Sequence, residues 1–243
     1  MSEKYKQVIL NEVGEFIDDL YSDERPSEFK LLGLRWTLLK GVYDPSTDPA
    51  AWLDVKKLPY PAGGRFLEMG CGAGMASVYG ALRGCTEVVA VDMVPEALEN
   101  TRVNAERHGV ADRVRTVQSD LFTGIDSAER FDLIYWGSPF IEPPEGYTSD
   151  DAHPAYFDMG YVSHRRFLRE ARDYLSPGGR LFLGFGSEGN WELLNQIATE
   201  IGLRTSVVAA TSYIEEDEDN EADEAGVLEF GAWLVEFLPA GHE

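Results

Sequence analysis

The sequence predicts an α/β fold: a parallel sheet wrapped by helices on both faces, closed at one edge by an antiparallel pair of strands. Three observations carry that expectation. From Arg65 onward, short apolar runs alternate with helical stretches: "RFLEM", "EVVAVD", "VRTVQS", "FDLIYW" and "RLFLGFG". The chain then closes on two strand-like runs, "RTSVVAATSYI" and "VLEFGAWLVEF", with no helix between them. A parallel pair would need a crossover, so these two should pair antiparallel. Finally, 243 residues with 44% hydrophobic and 12% aromatic side chains suffice for one large α/β domain with a short extension.

Taken in order, residues 5 to 21 place Ile9, Val13, Phe16, Ile17 and Leu20 at helical spacing, opposite Glu12, Glu15 and Asp19. A second apolar stretch, "FKLLGLRWTLLKGVY", follows Pro26, is expected to be helical too, and stops near the turn-rich "DPSTDP". Residues 1–60 are therefore expected to form a helical lid, and residues 61–243 the main domain. The start is charged and lacks a signal-peptide core, and no apolar run is of membrane-spanning length. Cys71 and Cys85 supply neither metal-site spacing nor a disulfide framework, so a reducing cytoplasm and no metal are expected.

The net charge of −22 disfavours nucleic acid, because a phosphate-binding surface needs clustered Lys and Arg. Eight acids fall in the ten positions of "EEDEDNEADE", residues 215 to 224, which reads as a solvated surface loop.

The first strand of the alternating region runs into "LEMGCGAG", where Gly70, Gly72 and Gly74 let the turn tighten and the backbone approach a ligand. The dinucleotide fingerprint needs a glycine at its sixth position, where Met75 stands, which disfavours a nicotinamide oxidoreductase. Asp92 ends the second strand, where a carboxylate can accept both hydroxyls of a ribose. Asp120, in "QSDLF", follows the third strand at the same edge, placed to accept from an exocyclic amine with Leu121 beside the ring. Any one of these acids alone reads equally well as a helix N-cap; three at successive strand ends point to a site.

"FLEMGCGAGMASVYGA", "VVAVDMVPEALENTRVNAERHGV", "VQSDLF" and "FDLIYWGSPF" resemble the successive motifs of class I S-adenosylmethionine-dependent methyltransferases. The likeness covers residues 65 to 140, and "YLSPGGRLFLGFG" fits that family's fifth strand. It implies a Rossmann-like, doubly wound, seven-stranded sheet with an antiparallel last strand. It also implies that Gly70, Gly72 and Gly74 pass the methionine part of the cofactor, with Glu68 orienting the loop and its amine. Asp92, next to Met93, would hold the ribose, and Asp120 with Leu121 the adenine. Among subgroups the chain is most similar to the release-factor glutamine methyltransferases, which carry Asn-Pro-Pro-Tyr or Asn-Pro-Pro-Phe where this chain has Gly137-Ser138-Pro139-Phe140. The second Pro and the Phe are kept; the Asn, whose side chain holds the amino nitrogen in line with the methyl in that subgroup, is gone.

Methyl transfer is an in-line displacement, so the protein has mainly to align the nucleophile and manage its proton. Residues 135 to 164 hold Tyr135, Trp136, Phe140, Glu142, Tyr147, Tyr156, Phe157, Asp158, Tyr161 and His164, a density of aromatics suited to a dry pocket. Ser138, Asp158 and Tyr161 are the candidate catalytic residues, with Tyr135 and Phe140 toward the substrate and Gly137 toward the cofactor. Asp158 also stands where a helix N-cap would. His164, beside Arg165 and Arg166, reads as part of a solvated helix face. "GVYDPS" resembles a loop that covers the cofactor in related enzymes, with Tyr43 as its candidate contact, or else a simple turn.

The expectation is thus a cytoplasmic methyltransferase using S-adenosylmethionine on a small-molecule or amino-acid-like acceptor. Two alternatives share the cofactor: a cyclase or lyase that displaces the sulfonium internally and releases methylthioadenosine, and a non-catalytic cofactor-binding protein that recruits partners.

Overall fold

A computed structural model of the chain describes residues 19–46, 48–143, 156–216 and 227–241. Ahead of the main sheet lie β1 (Glu28–Leu31), β2 (Leu34–Thr37) and helix α1 (Pro49–Lys57). There follow β3 (Arg65–Met69), α2 (Met75–Leu82), β4 (Glu87–Asp92), α3 (Pro95–Arg107) and β5 (Val114–Gln118). The chain continues through β6 (Phe131–Gly137), α4 (Val162–Tyr174), β7 (Leu175–Gly186), α5 (Trp191–Glu200), β8 (Leu203–Glu216) and β9 (Val227–Pro239).

Seven strands form one sheet in the order β5-β4-β3-β6-β7-β9-β8. The first five are parallel neighbours, and β9 enters antiparallel between β7 and β8. The expected seven-stranded sheet with its antiparallel last strand is therefore found. The chain starts in the middle at β3, runs outward to β5, then returns to β6 on the other side of β3. That reversal opens a crevice at the carboxyl ends of β3 and β6.

Side-chain alternation along these strands builds two cores. Leu67, Met69, Ile134, Trp136, Leu181 and Leu183 pack on one face with Phe167, Leu168 and Leu194 of α4 and α5. Phe66, Leu133, Tyr135 and Phe182 pack on the other with Val55 of α1 and Val78 of α2. Both faces are buried, which is why these strands read as continuous apolar runs.

The stretch expected to form a second helix does not. β1 and β2 pair antiparallel as a hairpin closed by Leu32 (φ 53°) and Gly33 (φ 75°), the two-residue turn with both residues left-handed. Trp36 is fully buried, packs against Phe29 and His108, and donates its indole N–H to the Leu31 carbonyl. Beyond the hairpin, Asn100 and Asn104 of α3 hold the backbone of Thr37 and Leu39 at 2.7–2.9 Å. Most of the first expected helix lies outside the described residues, as do Tyr147 and positions 217 to 224 of the acidic run; Asp19 to Tyr21 are helical. No helix among the described residues is long and apolar enough to cross a membrane.

Candidate functional site

The glycine loop after β3 takes three left-handed glycines, Gly70 (φ 62°), Gly72 (φ 49°) and Gly74 (φ 78°), with one residue between each. A Cβ at Gly72 would meet nothing within 4 Å, so the backbone is bare toward open space there. Gly74 is the reverse case, because a Cβ would stand 2.6 Å from the Thr101 hydroxyl and 2.9 Å from its Cα. The loop is held from beneath by α3: Thr101 donates to the Gly72 carbonyl (3.2 Å) and Asn104 to the Ala73 carbonyl (2.8 Å). The same Asn104 holds Thr37, tying the N-terminal hairpin to the loop.

Glu68 is buried behind the loop, where its Oε2 accepts from the backbone N–H (2.7 Å) and hydroxyl (2.5 Å) of Ser77 in the first turn of α2. Burial pushes its carboxyl up to about 8, against the pull of the Ser77 hydrogen bonds. Asp92 stands at the end of β4 and accepts from the N–H groups of Gly72 and Val94, both at 3.0 Å. Burial raises its carboxyl as well, countered by those N–H groups. Two oxygens carry more lone pairs than two donors use, so Asp92 keeps acceptor capacity for hydroxyls at this edge. Met93 beside it is exposed. At the end of β5, Ser119 shapes the turn by donating to the Leu121 carbonyl and accepting from Gly124, both at 2.7 Å. Leu121 is left-handed (φ 49°) and buried, while the Asp120 carboxylate meets Arg166 of α4 at 2.9 and 3.1 Å. Tyr43 stands at the surface on the turn after Val42; Asp44 there accepts from the Ser46 N–H (2.8 Å), the turn that "DPS" allowed. An open, bare-backbone cradle between a buried and a half-buried carboxylate fits the methionine and ribose ends of S-adenosylmethionine.

At the end of β6, Gly137 is exposed between buried Trp136 and Ser138. A Cβ on Gly137 would stand 2.9 Å from the Tyr135 hydroxyl, and one on its register partner Gly184 would run into the Asp54 carboxylate. Tyr135 donates to Asp54 of α1 (2.9 Å). Burial pushes the Asp54 carboxyl well above its usual range, and its Oδ1 has no partner among the described residues. Phe140 packs on Phe185, and its carbonyl accepts from the Tyr161 hydroxyl, which in turn accepts from the Asn190 N–H (2.6 Å).

The sharpest departure from expectation is His164. Far from lying on a solvated face, it is completely buried. Its Nδ1 lies 2.6 Å from Asp158 Oδ2 and its Nε2 lies 2.9 Å from Ser138 Oγ. Asp158 also accepts from the N–H groups of Ser163 (3.0 Å) and His164 (2.9 Å), so it caps α4 as well as holding the imidazole. Ser138 reaches the Gly184 carbonyl at 3.0 Å. Burial lowers the imidazole's proton affinity against the pull of Asp158; for Asp158, burial works upward but the His164 hydrogen bond and the two backbone donors outweigh it and hold the carboxyl low. Tyr161 is brought to the group as a ring stacked on the imidazole at 4.4 Å. The signal for His164 was in the sequence: it shares the helical spacing of Phe167, Leu168 and Ala171, the buried stripe of α4.

Comparison with known proteins agrees with this architecture. Residues 61–209 match the family model described as a methyltransferase domain. A Methanocaldococcus jannaschii protein, provisionally named a protein N5-glutamine methyltransferase, is 28% identical over 73% of this chain and 88% of its own length. The release factor glutamine methyltransferase of Bordetella pertussis is 30% identical over 63% of this chain and 57% of its own. Among solved structures, precorrin-6y C5,15-methyltransferase from Geobacter metallireducens aligns over 84% of this chain and 93% of its own with a TM-score of 0.55 and 14% identity, a likeness that speaks for the fold alone.

Proposed function

Because the chain belongs to the methyltransferase-domain family, and is on that ground an S-adenosylmethionine-dependent methyltransferase, we propose that its acceptor is an amino-acid-like nitrogen or oxygen carried by a protein or peptide. S-adenosylmethionine supplies a methyl carbon made electrophilic by its sulfonium. The residues assigned to hold it are Gly70, Gly72 and Gly74 for the methionine end, with Glu68 setting the loop. Asp92 with Met93 takes the ribose, and Leu121 with Asp120 the adenine. Arg166 shares the Asp120 carboxylate, so an adenine amine there takes an oxygen lone pair that the guanidinium leaves open. The described residues before position 61, with Tyr43, serve as a cover over this end; the Asn104 link from Thr37 to Ala73 supports that role.

The acceptor class rests on two supports. Relatives at 28% and 30% identity are named for glutamine in proteins, and a net charge of −22 disfavours nucleic acid. The observation that carries the acceptor end is Gly137, exposed where the subgroup has Asn. Without a carboxamide the chain cannot grip an amide as those enzymes do, so the acceptor is another side-chain group or a differently held amide. A free small molecule is the second reading, favoured by Gly137 standing exposed and without a side chain between buried neighbours. Internal displacement of the sulfonium draws no support from the relatives named above.

Incubation with S-adenosylmethionine bearing a trideuterated methyl, together with separated protein and small-molecule fractions of a cell extract, tests this. Mass spectrometry is expected to find the label in a protein. Label only in small molecules would favour the second reading, and methylthioadenosine without a labelled acceptor would refute both.

A further inference from the structure

We propose that Ser138, His164 and Asp158 form a relay that takes the proton the acceptor loses on methylation, Ser138 touching the acceptor and His164 and Asp158 positioning it. The proposal rests on the methyltransferase reading above and adds the chemistry of its acceptor: a group whose proton must be removed, such as a hydroxyl or an amide.

Geometry distinguishes this from ordinary packing. A helix cap needs only the two backbone bonds that Asp158 already makes, and the Gly184 carbonyl alone would satisfy Ser138. Between them nonetheless stands a fully buried imidazole that spans the two side chains with one nitrogen on each. Asp158 accepts the Nδ1 proton, which leaves the Nε2 lone pair facing Ser138 Oγ. The single Ser138 proton has two acceptors in reach: the Gly184 carbonyl at 3.0 Å, to which it donates, and Nε2 at 2.9 Å, to which it turns in the relay. The His164 ring lies in the first turn of α4, where the positive end of the helix also disfavours an imidazolium. Among the described residues the groups packed on the ring are Asp158 and Tyr161 from its own segment, Trp136 from β6, Ser138 just beyond that strand, and Phe185 from β7; Asp158 is the only charge in contact. Arg165 and Arg166 turn away to Glu200 and Asp120.

The relay also lies beside the cofactor loop. Trp136 packs on His164 with ring centroids 5.0 Å apart, and its indole nitrogen would stand 3.1 Å from a Cβ on Gly70. As the acceptor atom bonds to the methyl carbon, the carbon–sulfur bond breaks and its electron pair stays on sulfur. The acceptor's proton passes to Ser138 Oγ while the Ser138 proton passes to His164 Nε2. The resulting imidazolium is neutralised by Asp158 and returns its proton to water after product leaves.

The test combines turnover with a spectroscopic readout. In histidine-labelled protein, nitrogen NMR is expected to find His164 neutral with its proton on Nδ1, holding that form below the usual imidazole titration. Using the extract fraction that accepts the deuterated methyl, Ser138→Ala and His164→Gln should each lower kcat about 100-fold. The KM for that fraction and the affinity for S-adenosylhomocysteine should stay within about two-fold. The wild-type kcat should fall on the acid side as His164 gains a proton, and His164→Gln should lose that limb. Asp158→Asn leaves one carboxamide oxygen where two carboxylate oxygens meet Ser163 N–H, His164 N–H and Nδ1, and risks unfolding, so the two other variants, checked by thermal transition, decide. Wild-type kcat and pH profile in His164→Gln, an Nε2–H tautomer, or covalent capture of Ser138 by a fluorophosphonate would each overturn the relay alone. A wild-type protein that transfers no methyl to any fraction would overturn the function and the relay together.

Discussion

Three carboxylates near the carboxyl edge of the sheet meet burial in three ways. Asp92 is paid in N–H groups, Glu68 leans on one serine, and Asp54 has a single tyrosine hydroxyl. Asp92→Ala removes the group assigned to the ribose, so calorimetry should find S-adenosylhomocysteine binding weakened by about 1.5–3 kcal/mol, as for loss of a charged hydrogen bond. Unchanged affinity in a folded variant would remove Asp92 from the site. Glu68 makes stability depend on pH. Its folded carboxyl titrates at about 8 against 4.5 for an ordinary glutamate, so the folded chain binds a proton between those values that the unfolded chain has released. Its contribution is therefore full below 4.5 and is lost as the pH rises through about 8. Urea midpoints should fall between acidic and alkaline buffer more steeply in wild type than in Glu68→Gln, which cannot ionise. Equal slopes would mean that Glu68 is already charged in the folded protein.

At the scale of elements, the glycine loop tolerates little. Gly74→Ala places a Cβ against Thr101 and a non-glycine residue in a left-handed conformation, a strain of about 1–3 kcal/mol before any clash. Denaturant titration should record a loss of that size or more, whereas Gly72→Ala, with open space at its Cβ, should register the backbone strain without the clash. The sheet was legible because each strand buried on both faces is an unbroken apolar run, and helical stretches separate most of these runs. The hairpin was not, because "FKLLGLRW" offers apolar residues to either period. Gly33 in its middle was the signal that a turn and not a helix stood there. At the site, glycines and strand-end acids could be read from position alone. His164 reads as exposed beside two arginines, yet it shares its helix face with the residues three and four positions on, and that face is buried.

For the whole molecule, 43 acids face 21 lysines and arginines. Described arginines are drawn into clusters such as Arg65 with Glu87 and Glu129, and Arg115 with Glu129, so the excess of negative charge is left to repel itself across the surface. Raising sodium chloride from about 0.1 to 1 M shortens the screening length from about 10 to 3 Å and should raise the thermal midpoint. A falling midpoint would mean that the ion pairs matter more than the repulsion. The last hairpin is uneven in a different respect. β9 is flanked on both sides from Ala232 to Phe237, but from Val227 to Phe230 its register partners are all on β8, Tyr213 to Glu216. A two-stranded ribbon is marginal in water, whereas a strand between two others opens only with the sheet. In deuterated solvent, then, this single strand should behave as two clocks: amides of Val227 to Phe230 should take up deuterium early, those from Leu234 to Phe237 only on global opening, with the change of pace falling where Gly231 is fastened to Ser187.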